Sequence, residues 1–259
     1  MKDFENEFDE RVLERRFKDA RDRRTFQKVF DSSTLKAVHA LAVKGLFDVL
    51  EHIVSTGKEA HVFVASDISG NTRAVKIYKT STSDFKNMRK YIEGDKRFGN
   101  LRKDKRQVVF TWTRKEFKNL LLAAKAGLSV PLPLGFKENV LVMEFIGEGE
   151  SASPQLRELK PSMEELGDFY AQFVEFMANL YIIGLVHADL SEYNTLVRNG
   201  KLVFIDMGQA VLLDHPKARE FFERDVRNTA LYFSKKGLEK GFEGVYNDVK
   251  NRKEALEKK

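Results

Sequence analysis

The sequence predicts an α+β chain of two lobes, a small strand-rich lobe followed by a mostly helical one. Three observations predict it. Short β-type runs separated by turn residues fill residues 47–78 and recur at 139–145. Long helical periodicities dominate after residue 160. A polar, turn-rich stretch from Gly147 to Lys160 separates the two patterns. The expected organisation is an N-terminal helical extension at 1–48, a first lobe at 49–146 with a flexible basic loop at about 80–110, and a second lobe at 147–259.

The elements follow in order. Residues 1–30 read as a charged helix with a thin stripe of Phe4, Phe8, Val12, Phe17 and Phe26. The run Asp31-Ser-Ser-Thr34 is a capping cluster, and it starts a helix over Leu35 to Lys44 that Gly45 closes. Leu50 to Val54, Val62 to Ala65 and Arg73 to Tyr78 read as strands, with Ser69-Gly-Asn71 as one of the turns. Thr113 to Lys125 reads as a helix with Phe117, Leu120, Leu121 and Ala124 on one face, ended by Gly127. Asn139 to Phe145 is an apolar strand. Pro161 suits the first turn of the longest helix, which runs to Ile183 and stops at Gly184. Thr195 to Arg198 and Leu202 to Ile205 form a hairpin around Asn199-Gly200. The remainder, from about Lys217, is helical.

Composition narrows the chemistry. The 259 residues are ample for a core, and there is no Cys, which excludes disulfides, thiolate metal sites and cysteine catalysis. The five His are scattered, so no histidine metal cluster is expected. No apolar stretch reaches membrane-spanning length and Met1 to Glu10 lacks a signal-peptide pattern, so a cytoplasmic protein without a membrane partner is expected. The formal net charge is +6. Between Lys86 and Lys118 twelve Lys or Arg face four Asp or Glu, a surplus of eight in one segment. Such a cluster suits phosphate-rich partners, above all nucleic acid, unless it is only a solvated loop.

The sharpest signal is Val186-His-Ala-Asp-Leu-Ser-Glu-Tyr-Asn194 followed by Val203-Phe-Ile-Asp-Met-Gly208. It places Asp189 and Asn194 on one loop and Asp206 at the end of an apolar strand. Phosphoryl transfer from ATP needs this set. One carboxylate, Asp189, accepts or orients the proton of the nucleophile, while an amide and a second carboxylate, Asn194 and Asp206, hold Mg²⁺ through hard oxygen ligands. Upstream, Ala74-Val-Lys76-Ile-Tyr78 is a strand with one Lys in an apolar run, suited to α- and β-phosphates unless it is a solvated edge Lys. Glu116 is the candidate ion-pair partner of Lys76, although Thr113-Arg-Lys-Glu116 also reads as a capping box. Leu141-Val-Met-Glu-Phe-Ile146 ends a strand where the backbone of Glu144 and Ile146 can bond adenine, unless the stretch is simply a buried strand. No Gly-x-Gly-x-x-Gly precedes Lys76. The turn Ser55-Thr-Gly-Lys-Glu-Ala60, with the Ser55 hydroxyl, Lys58 and the tight turn at Gly57, is the candidate phosphate cover. His187 reads as a packed imidazole rather than a base, and Asp225 and Arg227 as braces of the catalytic loop.

The motifs Ser55-Thr-Gly-Lys-Glu-Ala60, His187-Ala-Asp-Leu-Ser-Glu-Tyr-Asn194 and Ile205-Asp-Met-Gly-Gln209 resemble the signatures of the RIO family of atypical serine/threonine protein kinases, specifically its first branch. The resemblance covers about Phe47 to Ser234. His61 departs from it, where the family more often has Asn or Asp. The lack of long eukaryotic-type tails suits an archaeal member. The resemblance implies a trimmed bilobal protein-kinase-like fold without a full activation segment or peptide-docking subdomains. It implies a non-specific serine/threonine kinase with ATPase activity, using ATP with Mg²⁺ or Mn²⁺. Asp189 would be the catalytic aspartate, Asn194 and Asp206 the metal ligands, and Lys76 a phosphate contact. Asp206 would also accept a phosphoryl group. The implied partners are the small ribosomal subunit precursor, with its rRNA and ribosomal proteins, and a protein Ser/Thr acceptor or the chain itself. Two other readings stand beside it: a small-molecule kinase of the aminoglycoside-phosphotransferase type, and a non-enzymatic RNA-binding assembly factor. Ala188 stands where ordinary kinases carry an Arg that reads a phosphorylated activation loop, and only 53 residues follow Asp206 without an Ala-Pro-Glu motif.

Overall fold

Asp31 begins the described chain by capping its first helix. The Asp31 carboxylate accepts the Thr34 N–H at 2.9 Å, and α1 runs over Ser32–Val43. The computed structural model describes residues 31–81, 84–99 and 104–258. The stripe expected over residues 1–30 lies outside them. Gly45 sits just past α1 at φ +75°, a conformation that favours glycine and ends the helix.

Five strands follow the expected order with one addition: β1 (Val49–Thr56), β2 (Ala60–Ser66), β3 (Thr72–Tyr78), β4 (Pro133–Lys137) and β5 (Val140–Glu144). They form one antiparallel sheet in the order β1-β2-β3-β5-β4. β3 is therefore the central strand, which removes the edge-strand reading of Lys76. β4 is the added strand; its Pro and Gly hide it from the sequence pattern. Leu35, Val38 and Leu41 of α1 pack with Phe47, Phe63, Val75, Ile77, Val140 and Val142 in one buried cluster. Each fully buried side chain of this size contributes about 1.5–3 kcal/mol. Asn139 ties the edges of this layer, donating its amide to the Tyr78 carbonyl at 2.7 Å and to the Thr34 hydroxyl at 2.9 Å.

The basic segment differs from the flexible loop expected at about 80–110. Two helices occupy much of it, α2 (Phe85–Ile92) and the start of α3 (Lys105–Lys125). Met88, Tyr91 and Ile92 share one buried face of α2, and Val108, Val109 and Trp112 are buried at the start of α3. Charge counting alone hides these apolar stripes. Because α3 begins at Lys105, Thr113 lies inside the helix, and its hydroxyl donates back to the Val109 carbonyl at 3.0 Å. The capping-box reading of Thr113 to Glu116 is thereby overturned.

The described residues form two compact units. The first comprises 31–81, 84–86, 104–114 and 133–152, and the second comprises 87–99, 115–132 and 153–258. The first ends in a short hairpin, β6 (Gly147–Glu148) and β7 (Ser151–Ala152). In the second unit a one-turn 3₁₀ helix (Leu156–Glu158) precedes α4 (Met163–Ile182). Ser162 and Glu165 form a reciprocal capping box at the start of α4, which places its N-terminus two residues beyond Pro161. β8 (Leu185–Val186), β9 (Thr195–Arg198), β10 (Lys201–Phe204) and β11 (Val211–Leu212) pair as two small antiparallel ribbons, β9 with β10 and β8 with β11. α5 (Ala218–Lys235) and α6 (Phe242–Glu257) complete the unit. Phe204 stacks on Phe176 at 3.8 Å and meets Phe173 edge-on at 5.1 Å, so the strand that leads to Asp206 is anchored on α4.

Candidate active site

The β9–β10 hairpin brings the two halves of the candidate site together. Its register pairs Thr195 with Phe204. One step further out, the Ile205 N–H donates to the Asn194 carbonyl at 3.0 Å, so Asn194 and Asp206 leave the hairpin on adjacent chains. The expectation that Asp189, Asn194 and Asp206 converge rests on this pairing.

Asp189 accepts three hydrogen bonds from two side-chain amides. The Asn194 amide donates to both the Asp189 carbonyl and Oδ2, each at 2.9 Å. The Gln209 amide donates to the same Oδ2 at 3.0 Å. Burial pushes the Asp189 carboxyl up to about 6, and the negative charge of Asp206 pushes the same way, against the Asn194 hydrogen bond and the Arg224 charge. Gln209 closes the Ile205–Gln209 motif, yet its residue type gives no sign that it reaches back twenty positions to Asp189.

The loop beneath Asp189 is braced from α5. Asp225 is buried, and its two carboxylate oxygens accept the N–H groups of Ala188 at 2.8 Å and Leu190 at 2.9 Å. Burial drives the Asp225 carboxyl up to about 7, while the two N–H donors and Arg224 favour the charged form. The second brace is Arg224, not Arg227. The Arg224 guanidinium donates to the Ala188 carbonyl and to the Tyr91 hydroxyl and lies over Phe221. Arg227 instead lies over the Phe242 ring at 5.7 Å. Tyr91 stacks on Phe221 at 4.9 Å, so α2 abuts the support of the Asp189 loop. Ala188 sits at φ +65° and Asp206 at φ +63°. A non-glycine residue in the left-handed region costs on the order of 1 kcal/mol and persists only where its surroundings enforce it.

His187 is a packed imidazole. It is 1 % exposed, its Nε2 lies 3.2 Å from the Ile205 carbonyl, and Phe176 meets it edge-on. Burial lowers its pKa to about 4, which keeps the ring neutral.

Lys76 lies at the centre of the sheet, between Val62 and Leu141, with its ammonium 5.0 Å from the Tyr78 ring. Glu144 ends β5 opposite Arg73, and Ile146 is buried just beyond it. Ser55 and Lys58 are exposed at the β1–β2 turn, which the Gly57 N–H closes onto the Ala60 carbonyl at 2.9 Å and Lys79 steadies through the Gly57 carbonyl at 2.7 Å. His61, which departs from the family pattern, is buried and meets the Thr56 hydroxyl at 3.2 Å. Glu116 is fully buried on α3.

Residue reading missed Lys115 and Asn119, the neighbours of Glu116 on that helix. The Lys115 ammonium donates to the Gly208 and Ala210 carbonyls, and the Asn119 amide to the Met207 and Ala210 carbonyls at 2.8 Å each. Desolvation lowers the Lys115 pKa to about 7, against the nearby charges of Asp95 and Glu116. Both residues are hidden because their types suggest an exposed helix face.

The donor set suits a hard cation. Asn194 and Asp206 offer an amide oxygen and a carboxylate, and Mg²⁺ is commonly held by one or two such groups together with substrate phosphates. Among the described residues no cluster of three or more His, Cys, Asp or Glu could hold a metal without such help.

An antiparallel five-stranded sheet with an internal lysine, together with a helical unit carrying this Asp–Asn–Asp loop set, defines a protein-kinase-like phosphotransferase. The RIO domain family model matches residues 61–244, and the chain belongs to that family. It is 44% identical over 245 residues to the RIO-type serine/threonine-protein kinase Rio1 of Haloferax volcanii, covering 95% of this chain and 83% of that protein. It is 38% identical to human serine/threonine-protein kinase RIO1, covering 84% of this chain but 39% of that longer protein. Among solved structures, Rio2 kinase from Chaetomium thermophilum, in a complex described as ADP/Mg²⁺-phosphoaspartate, aligns at a TM-score of 0.61. That alignment covers 86% of this chain and 76% of that one at 18% identity, a likeness of fold. The chain is thus an atypical kinase. Among the described residues no helix is long and apolar enough to cross a membrane.

Proposed function

We propose that the chain is an ATP- and Mg²⁺-dependent serine/threonine kinase and ATPase that acts in maturation of the small ribosomal subunit. The observation that carries the catalytic part is the Asp189–Asn194–Gln209 arrangement beside Asp206. Two amides fix one oxygen of Asp189, so its carboxylate is oriented before any acceptor arrives. A carboxyl near 6 matches a base that must be charged at neutral pH yet still accept a proton.

Lys76 is assigned to the α- and β-phosphates, the backbone of Glu144 and Ile146 to adenine, and Ser55 and Lys58 to the phosphate cover. Bound Mg²⁺ supplies charge neutralisation of the phosphates, with Asn194 and Asp206 as its protein ligands. Asp189 orients the acceptor hydroxyl and takes its proton. Asp206 is itself a carboxylate positioned to accept a phosphoryl group: the bond to ADP breaks as the acyl phosphate forms, and water then releases inorganic phosphate. The ribosomal part rests on the basic segment and on family membership.

The test is incubation with γ-labelled ATP, with and without small-subunit precursor particles. Label on Ser or Thr, on a hydroxylamine-sensitive site, or in free phosphate separates the activities. No turnover under any condition overturns the enzymatic reading. A rate indifferent to the particles overturns the ribosomal one.

A further inference from the structure

We propose that Lys115 and Asn119 are positioning residues for Asp206, holding the backbone that follows it so that its carboxylate faces the metal. The inference rests on the reading of Asp206 as a metal ligand.

The two residues lie four positions apart, on one face of α3. Both are fully buried. Together they bond the carbonyls of Met207, Gly208 and Ala210, a run that starts one residue after Asp206. Ala210 receives both donors. Asp206 itself sits at φ +63°, so the chain turns sharply there and its carbonyls point where a strand's would not. Buried carbonyls without donors cost about 1–3 kcal/mol each, so the α3 donors to Gly208 and Ala210 favour this turn, while the Met207 carbonyl also accepts the Ala210 N–H at 3.2 Å. Among the described residues the Asn119 Oδ1 has no hydrogen-bond partner. A leucine of similar size would avoid that cost, so the amide is explained by the two hydrogen bonds it donates.

The arrangement works at a distance from the reacting atoms, like the outer groups that orient metal ligands. Loss of such groups typically lowers metal affinity roughly 10–100-fold. The test is Mn²⁺ binding, followed by electron paramagnetic resonance in the presence of a non-hydrolysable ATP analogue, for wild type, Lys115→Met, Asn119→Leu and Asp206→Asn. Each variant is checked for a cooperative melt at the assay temperature, and metal-free nucleotide binding is measured in EDTA. The expected result is an Mn²⁺ affinity lower by roughly 10–100-fold in Lys115→Met and Asn119→Leu, with metal-free nucleotide affinity within about twofold of wild type. A merely structural role would leave that split absent. Should Lys115→Met not fold, Asn119→Leu decides, since it buries no unpaired charge. Unchanged Mn²⁺ affinity in the folded variants, with binding lost in Asp206→Asn, overturns the positioning role alone. Unchanged affinity in Asp206→Asn overturns the metal-ligand reading, and the proposal with it.

Discussion

Gln209 donates its side-chain amide to Oδ2 of Asp189 at 3.0 Å, across a gap of twenty residues. The contact couples the segment after Asp206 to the Asp189 loop, because Asn194 already donates to the same oxygen. Removing it in Gln209→Leu should lower kcat by about tenfold, since a hydrogen bond to a charged group is worth about 1.5–3 kcal/mol and Asn194 remains. The KM for ATP should change little. Gln209→Glu should also move the acid limb of the pH–rate profile to higher pH, because a second carboxylate further disfavours ionised Asp189. A profile identical to wild type in both variants would show that Gln209 does not orient the base.

Asp189→Asn should reduce turnover by about 10²–10⁴-fold while leaving ATP affinity nearly intact, because the base acts on the transition state more than on the ground state. Asp206→Asn should lose Mg²⁺-dependent nucleotide binding as well. Steady-state kinetics beside calorimetric nucleotide titrations separate the two. Equal nucleotide affinity in both variants would contradict the assigned roles.

Peptide phosphorylation should be slow and weak, since positioning is most of what a kinase supplies and only the eleven residues 207–217 lie between Asp206 and α5 to hold a peptide. ATP hydrolysis should rise with small-subunit precursors. Hydroxylamine should release label from Asp206, and borohydride reduction followed by mass spectrometry should locate it there. Brisk peptide turnover with no trapped acyl phosphate sinks this expectation.

His187 makes stability depend on pH. Its folded pKa of about 4 lies below the ordinary value of 6.5. Between those limits the unfolded chain binds the proton and the native state does not, so stability is lost as pH falls through that window. At about 1.4 kcal/mol per unit the loss is about 3 kcal/mol. Asp189 and Asp225, with raised carboxyl pKa values, act in the opposite direction, so the comparison must be between two proteins. Denaturant melts in EDTA should show the stability difference between wild type and His187→Gln shrinking from pH 7 to pH 4. A constant difference would mean that the ring is not held neutral.

The basic segment makes a salt-dependent prediction. Lys86 and Lys96 are exposed, Lys96 in a surface ion pair with Asp214 at 3.1 Å. Arg106 is engaged by Asp31, and Lys105 lies over the Phe85 ring. Neutralising Lys86 and Lys96 together should weaken binding to small-subunit particles. The log–log salt dependence should flatten by roughly one unit for each phosphate that a removed lysine had neutralised. ATP hydrolysis by the free protein should hardly change. Particle affinity unaltered across a salt series would make these lysines ordinary solvated charges.

The sequence by itself determined the α+β class, the strands β1, β2, β3 and β5 and the long helix α4, and it nominated Lys76, Asp189, Asn194 and Asp206 as candidate site residues. Local chemistry suffices for these. Strands and helices carry their own periodicity, and carboxylates, amides and lysines at motif spacing carry their chemistry wherever the chain places them. Tertiary structure alone decided that α2 and the start of α3 are helices rather than a basic loop, because their few apolar residues are stabilised only by what they pack against. It also decided that Arg224 rather than Arg227 braces Ala188, that Gln209 bonds Asp189, and that Lys115 and Asn119 bond the carbonyls of Met207, Gly208 and Ala210. Those contacts are hydrogen bonds between residues 20 to 95 positions apart, which exist only once helices α3 and α5 have been set against the loops they hold.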